Sequence, residues 1–350
     1  MSDTLALQQD KHLPILVTGG AGLIGSAVIW RLNQLGYENI TVVDHLGNSE
    51  KWRNLVPLRF VNYLEKDQLF EFLDADTPAS RFACIFHLGA CSSTTELDAS
   101  YLAKNNFDYS RRLAEYALGQ GSRMIYASSA ATYGDGTLGF GDDETRAQQL
   151  RPLNMYGYSK QLMDQYLWQQ GLFKTEGTNG AGFVGLKYSN VFGPNEYHKA
   201  HMRSMVLRAY EQITTDGKVR LFKSYKPEYK DGEQVRDFLY VKDAADMTCF
   251  FMNEGRCCCG LYNIGYGEAR SWLDLANAMF AALGKKSNIE FIDMPEELKE
   301  KYQYHTCLEM DKLRKAGYKK PLQSLEEAVK DYARYLQKHA HLGELDDSLL

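Results

Sequence analysis

Three observations predict a doubly wound α/β fold, a parallel sheet covered by helices on both faces. The apolar run at 13–18 (LPILVT) meets the turn Gly19-Gly20-Ala21-Gly22-Leu23-Ile24-Gly25, which opens a helical pattern closing at Gly36. The next apolar run, 40–44, ends on a carboxylate 19 residues beyond Gly25. Further short apolar runs at 82–88, 123–127 and 183–188 each lead into small or polar residues, with helical stretches between them. Strands alternating with helices in this way build a parallel sheet that takes its ligand at the carboxyl edge.

The elements follow in order. The glycines at 19, 22 and 25 permit a tight turn and close backbone approach, and the helix start behind them faces a pyrophosphate; the spacing is G-x-x-G-x-x-G. Asp44 closes the second strand, where an acidic side chain reaches the adenosine ribose hydroxyls. Asp44 by itself favours NAD. Lys51, Arg53 and Lys66 are cations that could offset a 2′-phosphate, so NAD against NADP stays open on these residues. A third strand is expected at 59–61 and a fourth at 82–88, the latter followed by Gly89-Ala90-Cys91-Ser92-Ser93. His87 inside it reads as a packed core histidine. Helical periodicity runs from 99 to 118 with Asn105 and Asn106 near its middle; buried asparagines need partners, and one of them is expected to support a neighbouring loop.

The fifth strand, 123–127, ends in Ser128-Ser129-Ala130-Ala131-Thr132-Tyr133-Gly134, and 135–150 is a polar, glycine-rich surface loop. Ser129 lies 27 residues before Tyr156, which begins Tyr156-Gly157-Tyr158-Ser159-Lys160 on a helix running to about 170. Residues four apart share a helix face, so Tyr156 and Lys160 project together. An ammonium beside a phenol favours the phenolate and draws its pKa down from roughly 10. Such a phenol can exchange protons near neutral pH. A Y-x-x-x-K pair is common on protein surfaces; the glycine turn, Asp44 and Ser129 give this one its meaning.

Beyond the strand at 183–188 come Asn190-Val191-Phe192-Gly193-Pro194 and an amphipathic helix over 199–215, with Met202, Met205, Val206, Ala209, Tyr210 and Ile213 on one face. Strands follow at 219–222, 236–241 and 260–264, with a polar loop at 224–235 and a helix from Val241. Ser271-x-x-Asp274 and Ser324-x-x-Glu327 read as helix-opening caps. The organisation is a dinucleotide-binding Rossmann domain over 12–191 plus about 236–265, and a smaller C-terminal α/β substrate-binding lobe over about 192–235 plus 266–338. Residues 1–11 and 339–350 are expected to be flexible tails.

Composition narrows the function. With 350 residues, 44% of them apolar, 24% charged, and a net charge of −5, the chain shows no basic surface for nucleic acid or an anionic membrane. No apolar run approaches the roughly 18 residues a membrane helix needs. The polar N-terminal stretch lacks the pattern of a signal peptide, which suggests the cytoplasm. Seven cysteines, three of them consecutive at 257–259, include no C-x-x-C pair, so thiols rather than a metal cluster are expected. A dinucleotide across the sheet edge, with Tyr156, Ser129 and Lys160 beside it, supports hydride transfer between a carbinol carbon and nicotinamide.

Gly19-x-x-Gly22-x-x-Gly25, Ser129 and Tyr156/Lys160 resemble the extended short-chain dehydrogenase/reductase superfamily over roughly residues 12–335. Within it, HLGACSSTTE (87–96), YASSAATYG (126–134), PLNMYGYSK (152–160), NVFGP (190–194) followed by His198-Lys199, LFKS (221–224), RDF (236–238) and KYQ (301–303) are similar to the ADP-glyceromanno-heptose 6-epimerases. That resemblance implies transient oxidation of C6″ of ADP-D-glycero-β-D-manno-heptose to a ketone and hydride return to the opposite face, supplying lipopolysaccharide inner-core heptose. It implies Tyr156 and Lys199 as acid/base groups with Ser129 and Lys160 assisting, and no metal. It implies NADP (NAD being possible) held by Gly19, Gly22, Leu23, Ile24, Gly25, Asp44, His45, Lys51 and Lys66, and by Leu88, Gly89, Ala90, Cys91, Ser92, Asn105, Lys160, Val191 and Lys199. It implies Asn190, His201, Arg208, Phe222, Lys223, Ser224, Arg236 and Tyr302 against the ADP-heptose. His201, Arg208 and His45 stand where the family pattern has serine, histidine and often asparagine. A homo-oligomer, a pentamer by the same resemblance, is expected, with no nucleic-acid or membrane partner. A related epimerase or 4,6-dehydratase is the neighbouring reading, but a dehydratase carries an acidic pair after the serine and Ser129-Ala130-Ala131 has none. A nucleotide-sensing protein of this fold would lose the tyrosine or lysine.

Overall fold

The structure is a computed structural model and describes residues 11–174, 181–255, 257–299 and 302–346. Its centre is a seven-stranded parallel sheet in the order β10-β6-β5-β4-β1-β2-β3. The strands are β1 (Ile15–Thr18), β2 (Ile40–Asp44), β3 (Asn62–Glu65), β4 (Cys84–His87), β5 (Arg123–Ser129), β6 (Phe183–Tyr188) and β10 (Gly260–Ile264). Apart from the edge strand β3 they are nearly continuous apolar runs because both faces are covered. Alternate residues serve opposite layers. Ile15, Val17, Val42 and Phe86 pack with helices α1 (Leu23–Gln34) and α7 (Val241–Phe250). Leu16, Val43 and Ile85 pack with α4 (Tyr109–Gln120) and α5 (Met155–Gln169). Strand order reverses between β1 and β4, the switch point where such sheets open a crevice.

Two small sheets accompany the seven-stranded one. β9 (Val235–Tyr240) lies between β7 (Asn190–Phe192) and β11 (Ala269–Ser271), and β8 (Val219–Phe222) pairs with β12 (Ile289–Ile292). Helices α6 (Met205–Asp216), α8 (Trp272–Ala282) and α11 (Leu325–Lys338) pack together beside them. Both expected capping boxes form: Ser271 with Asp274 and Ser324 with Glu327 each exchange side-chain and backbone bonds. β9 hydrogen-bonds to β7 and β11 rather than to a strand of the seven-stranded sheet.

Three further expectations shift. The third strand is at Asn62–Glu65, not 59–61, because the Asn33 side chain occupies both backbone groups of Arg59, at 2.8 and 2.9 Å. The helix expected over 199–215 is broken. A short 3₁₀ turn, Tyr197–Met202, kinks at Ala200 (φ 46°), and α6 restarts behind the cap of Ser204 on Leu207. The C-terminal segment expected to be frayed from 339 is packed, with His341 and Leu342 buried. Its anchor is polar as well as apolar: Leu342 N–H donates to Asn195 and His341 bonds Asn54. The outer ends of both expected tails, 1–10 and 347–350, lie outside the described residues.

Candidate active site

The glycine turn is shaped by contact. Gly19 holds φ +70°, and a Cβ on it would meet Gly89 N at 2.5 Å; one on Gly25 would meet Gly19 O at 2.0 Å. Gly22 is the N-cap of α1 and offers no side chain to the first-turn N–H groups, and the first turn holds no acidic residue. These N–H groups and the helix dipole together make an anion site. Asp44 accepts from Ala21 N (2.8 Å) and His45 N (2.7 Å), which ties β2 to the glycine turn. Its Oδ1 also accepts from Lys51 Nζ at 2.6 Å, so its charge is paired. Lys66 donates to Asn105 Oδ1 at 3.2 Å. Arg53, by contrast, pairs with Glu50 and stacks on Trp52.

Asn105 and Asn106 lie in a π-helical turn, Ala103–Asp108, between α3 (Ala99–Leu102) and α4. Such a bulge re-aims side chains at functional sites. Asn106 uses its full capacity. It accepts from Cys91 N and Asn105 Nδ2, and donates to Cys91 O and Ser159 Oγ, all at 2.9–3.0 Å. It therefore pins the loop after β4 to α5. His87 is a core residue, as expected: it bonds Thr18 and Ser110 at 2.7 Å each, and burial pushes its pKa down to about 3.

Asn154 caps α5 through Gly157 N at 2.8 Å, and a Cβ on Gly157 would lie 2.8 Å from Ala131 O. That close approach brings Tyr156 against the end of β5, where it lines the cavity beside Ser129. Burial raises the Tyr156 pKa, and the Ser129 hydroxyl partly offsets that rise. The lowering expected from Lys160 is not expressed here, because its ammonium is turned to Ala127 O at 2.9 Å. Burial pushes the Lys160 pKa down to about 8, and the nearby Asp164 carboxylate works against that shift. Asp164 is itself fully buried and accepts from Lys187 Nζ (2.7 Å), Tyr126 Oη (2.8 Å) and Ser128 Oγ (2.8 Å). Lys187 also donates to Thr132 Oγ1 at 2.6 Å. This buried pair beneath the Tyr156 face escaped the sequence reading. The signals were present: Asp164 is four residues beyond Lys160, and Lys187 is the one charge in an otherwise apolar strand.

One cavity of about 1190 Å³ collects the site. Every residue expected at the cofactor lines it, from Gly19 to Lys199, as do Ser129 and Tyr156. Asn190, His201, Arg208, Phe222 and Tyr302 line it too. Lys223, Ser224 and Arg236 do not: Lys223 pairs with Asp293 at 3.1 Å and Ser224 Oγ donates to Lys226 O at 2.9 Å. Arg236 is buried, its guanidinium 5.2 Å from the Tyr302 ring and 5.5 Å from that of Trp272. Among the described residues no carboxylate lies within ion-pairing distance of it. Burial alone pulls its pKa below the ordinary arginine value. A buried cation without an acidic partner, one residue layer behind the cavity wall formed by Tyr302, suits an anionic ligand. Gln212 and Arg220, which the sequence reading passed over, also line the cavity.

A family model, the NAD dependent epimerase/dehydratase family, matches residues 15–265. The chain belongs to that family. It is 50% identical over 321 residues, 91% of this chain and 96% of the relative, to an ADP-L-glycero-D-manno-heptose-6-epimerase of Nitratidesulfovibrio vulgaris. A protein of the same name from Fusobacterium nucleatum is 46% identical over 333 residues, 93% of this chain and 98% of the relative. The crystal structure of the Helicobacter pylori ADP-L-glycero-D-manno-heptose-6-epimerase matches with a TM-score of 0.75 at 27% identity, covering 94% of this chain and 98% of that one. A nicotinamide cofactor fits what this family member presents. The glycine cradle leaves no room for a Cβ, the start of α1 is uncapped, and the cavity is continuous from the glycine turn to Tyr156. Among the described residues no helix is long and apolar enough to cross a membrane.

Proposed function

We propose that this family member is an epimerase inverting C6″ of ADP-D-glycero-β-D-manno-heptose to the L-glycero epimer, with NADP as cofactor and Tyr156 and Lys199 as its two acid/base groups. The observation that carries this reading is that Tyr156, from α5, and Lys199, from the turn after β7, line the same cavity as the glycine turn. The names of the relatives at 50% and 46% identity supply the substrate.

A bound nicotinamide supplies the hydride acceptor and then, within the same turnover, the hydride donor. Tyr156, with Ser129 beside it in the cavity, exchanges a proton with the C6″ oxygen. Of Tyr156 and Lys199, one takes the C6″ hydroxyl proton as the ketone forms, and the other returns a proton as the ketone is reduced. Lys199 serves the same oxygen when the ketone has turned over and presents its other face. Lys160, which donates to Ala127 O and lines the cavity, would bond the nicotinamide ribose. The glycine turn and the start of α1 would hold the pyrophosphate of the dinucleotide. Lys51 neutralises Asp44 and stands with Lys66 where a 2′-phosphate would lie, which is why NADP is preferred over NAD in this reading. Arg236, one layer behind Tyr302, supplies positive charge towards the diphosphate of the sugar nucleotide. A cytoplasmic homo-oligomer belongs to the same reading and is checked by light scattering.

The test is NMR of purified protein with ADP-D-glycero-β-D-manno-heptose and no added cofactor. Conversion to the L-glycero epimer is the expected result. Absence of conversion by folded protein, with NADP and NAD both supplied, would remove this substrate and point to another nucleotide sugar.

A further inference from the structure

Two buried asparagines join three segments that the sequence keeps far apart. Asn54 lies one 3₁₀ turn after Lys51, in the turn Glu50–Leu55, and is buried. Its amide donates to Ala21 O of the glycine turn and to Asn195 O, both at 2.9 Å. Its Oδ1 lies 2.8 Å from His341 Nδ1. Since Oδ1 can only accept, His341 must carry its proton on Nδ1. Burial pushes the His341 pKa down, which favours the uncharged ring. Asn195 is fully buried at φ 79°, and its backbone precedes Lys199 by four residues. Its Nδ2 donates to Ser26 Oγ at 2.9 Å, and Ser26 Oγ donates to Gly22 O at 2.7 Å. Its Oδ1 accepts from Leu342 N at 3.0 Å. Tyr197 closes the arrangement. Its hydroxyl donates to Ala340 O at 3.0 Å and its ring lies 4.6 Å from His339 and 5.3 Å from His341.

Each of these bonds is a connection between functional parts. One end is the turn that would seat the pyrophosphate, at Ala21 and Gly22. The other end is the loop whose 3₁₀ turn carries His198 and Lys199 into the cavity. The C-terminal segment supplies His341 and Leu342, which saturate the remaining acceptors of both asparagines. No charge takes part, so the lock depends on hydrogen-bond geometry in a dry site. We propose that Asn54, Asn195 and His341 are positioning residues that lock the glycine turn to the Lys199 loop, making the C-terminal segment part of the active-site architecture. This rests on the role given to Lys199 above.

The test compares His341→Asn with His341→Gln. An asparagine amide can stand in for Nδ1–H, whereas a glutamine amide extends one atom further, to the place of Nε2. NADP affinity, turnover of the ADP-heptose and the thermal midpoint are measured for each. His341→Gln is expected to weaken NADP binding and lower turnover by roughly tenfold each, the scale of one buried polar group left unpaired. His341→Asn is expected to stay within about threefold of the parent on the same scale. Ser26→Ala, which cuts Asn195 from Gly22 without touching the C-terminal segment, is expected to weaken NADP binding similarly. Equal losses in the Asn and Gln variants, or parent-like NADP binding in both Gln and Ser26→Ala, would overturn the proposal. A parent protein that converts no ADP-heptose while the Asn/Gln gap in NADP affinity persists would instead sink the functional reading and leave the lock standing.

Discussion

The buried pair of Asp164 and Lys187 makes a sharp demand on stability and on the site together. Asp164→Asn keeps the shape but leaves the Lys187 ammonium, 1% exposed, without its carboxylate. Removing one partner of a buried pair costs about 3–5 kcal/mol. Unfolding entropy of roughly 2.1 cal/mol/K per residue, over 350 residues, converts this to a fall of about 4–7 °C in Tm. The double variant Asp164→Asn/Lys187→Met removes the orphan charge and is expected to recover most of that loss, because neutral replacements of buried pairs are near neutral in stability. Differential scanning calorimetry of the two single variants, the double variant and the parent measures the coupling. The site carries a second readout. Asp164 opposes the burial that pulls Lys160 down to about 8. If the ammonium is the active form, parent turnover is expected to decline as pH rises through about 8. Without the carboxylate the Lys160 pKa falls further, so the same decline begins at lower pH. A double variant no more stable than Asp164→Asn, together with an unmoved alkaline limb, would refute both halves of the reasoning.

The other predictions concern groups that face the cavity directly. Tyr156→Phe is expected to leave cofactor binding intact and to lower turnover at least ~100-fold, the usual scale of lost acid/base help; near-parental turnover in the NMR assay would remove its assigned role. Lys199→Met is expected to cripple epimerisation with an unchanged far-UV spectrum, and full activity would return Lys199 to an ordinary surface lysine. Gly25→Ala would place a Cβ 2.0 Å from Gly19 O, so titration with NADP should show binding lost or severely weakened; parental affinity would mean the cradle yields more easily than its packing indicates.

Much of the fold was legible because its signals are local. The glycine turn, the apolar strand runs and the two capping boxes each need only adjacent residues to declare themselves, and they appear where the sequence puts them. The third strand was misplaced because Arg59 meets Asn33, a partner 26 residues away that competes for its backbone. The helix over 199–215 was drawn unbroken because its apolar spacing is sound. Only the positive φ at Ala200 and the cap at Ser204 show that Lys199 belongs to a separate turn. Tyr156 and Lys160 were found from their spacing, yet the phenol pKa moves upward, since burial outweighs a lysine that bonds Ala127 instead.

What the sequence by itself determined, then, is the dinucleotide cradle, the order of the strands' chemistry and the Ser129, Tyr156 and Lys160 set. These follow from turn sterics, strand and helix periodicity, and motif spacing. What only tertiary structure decided is which distant polar groups satisfy one another: Asp164 with Lys187, Asn106 with Cys91 and Ser159, Asn54 with Ala21, Asn195 and His341. A buried polar atom must find a partner wherever the folded chain brings one; flanking residues can flag its burial, as the apolar strand does for Lys187, but they do not name the partner.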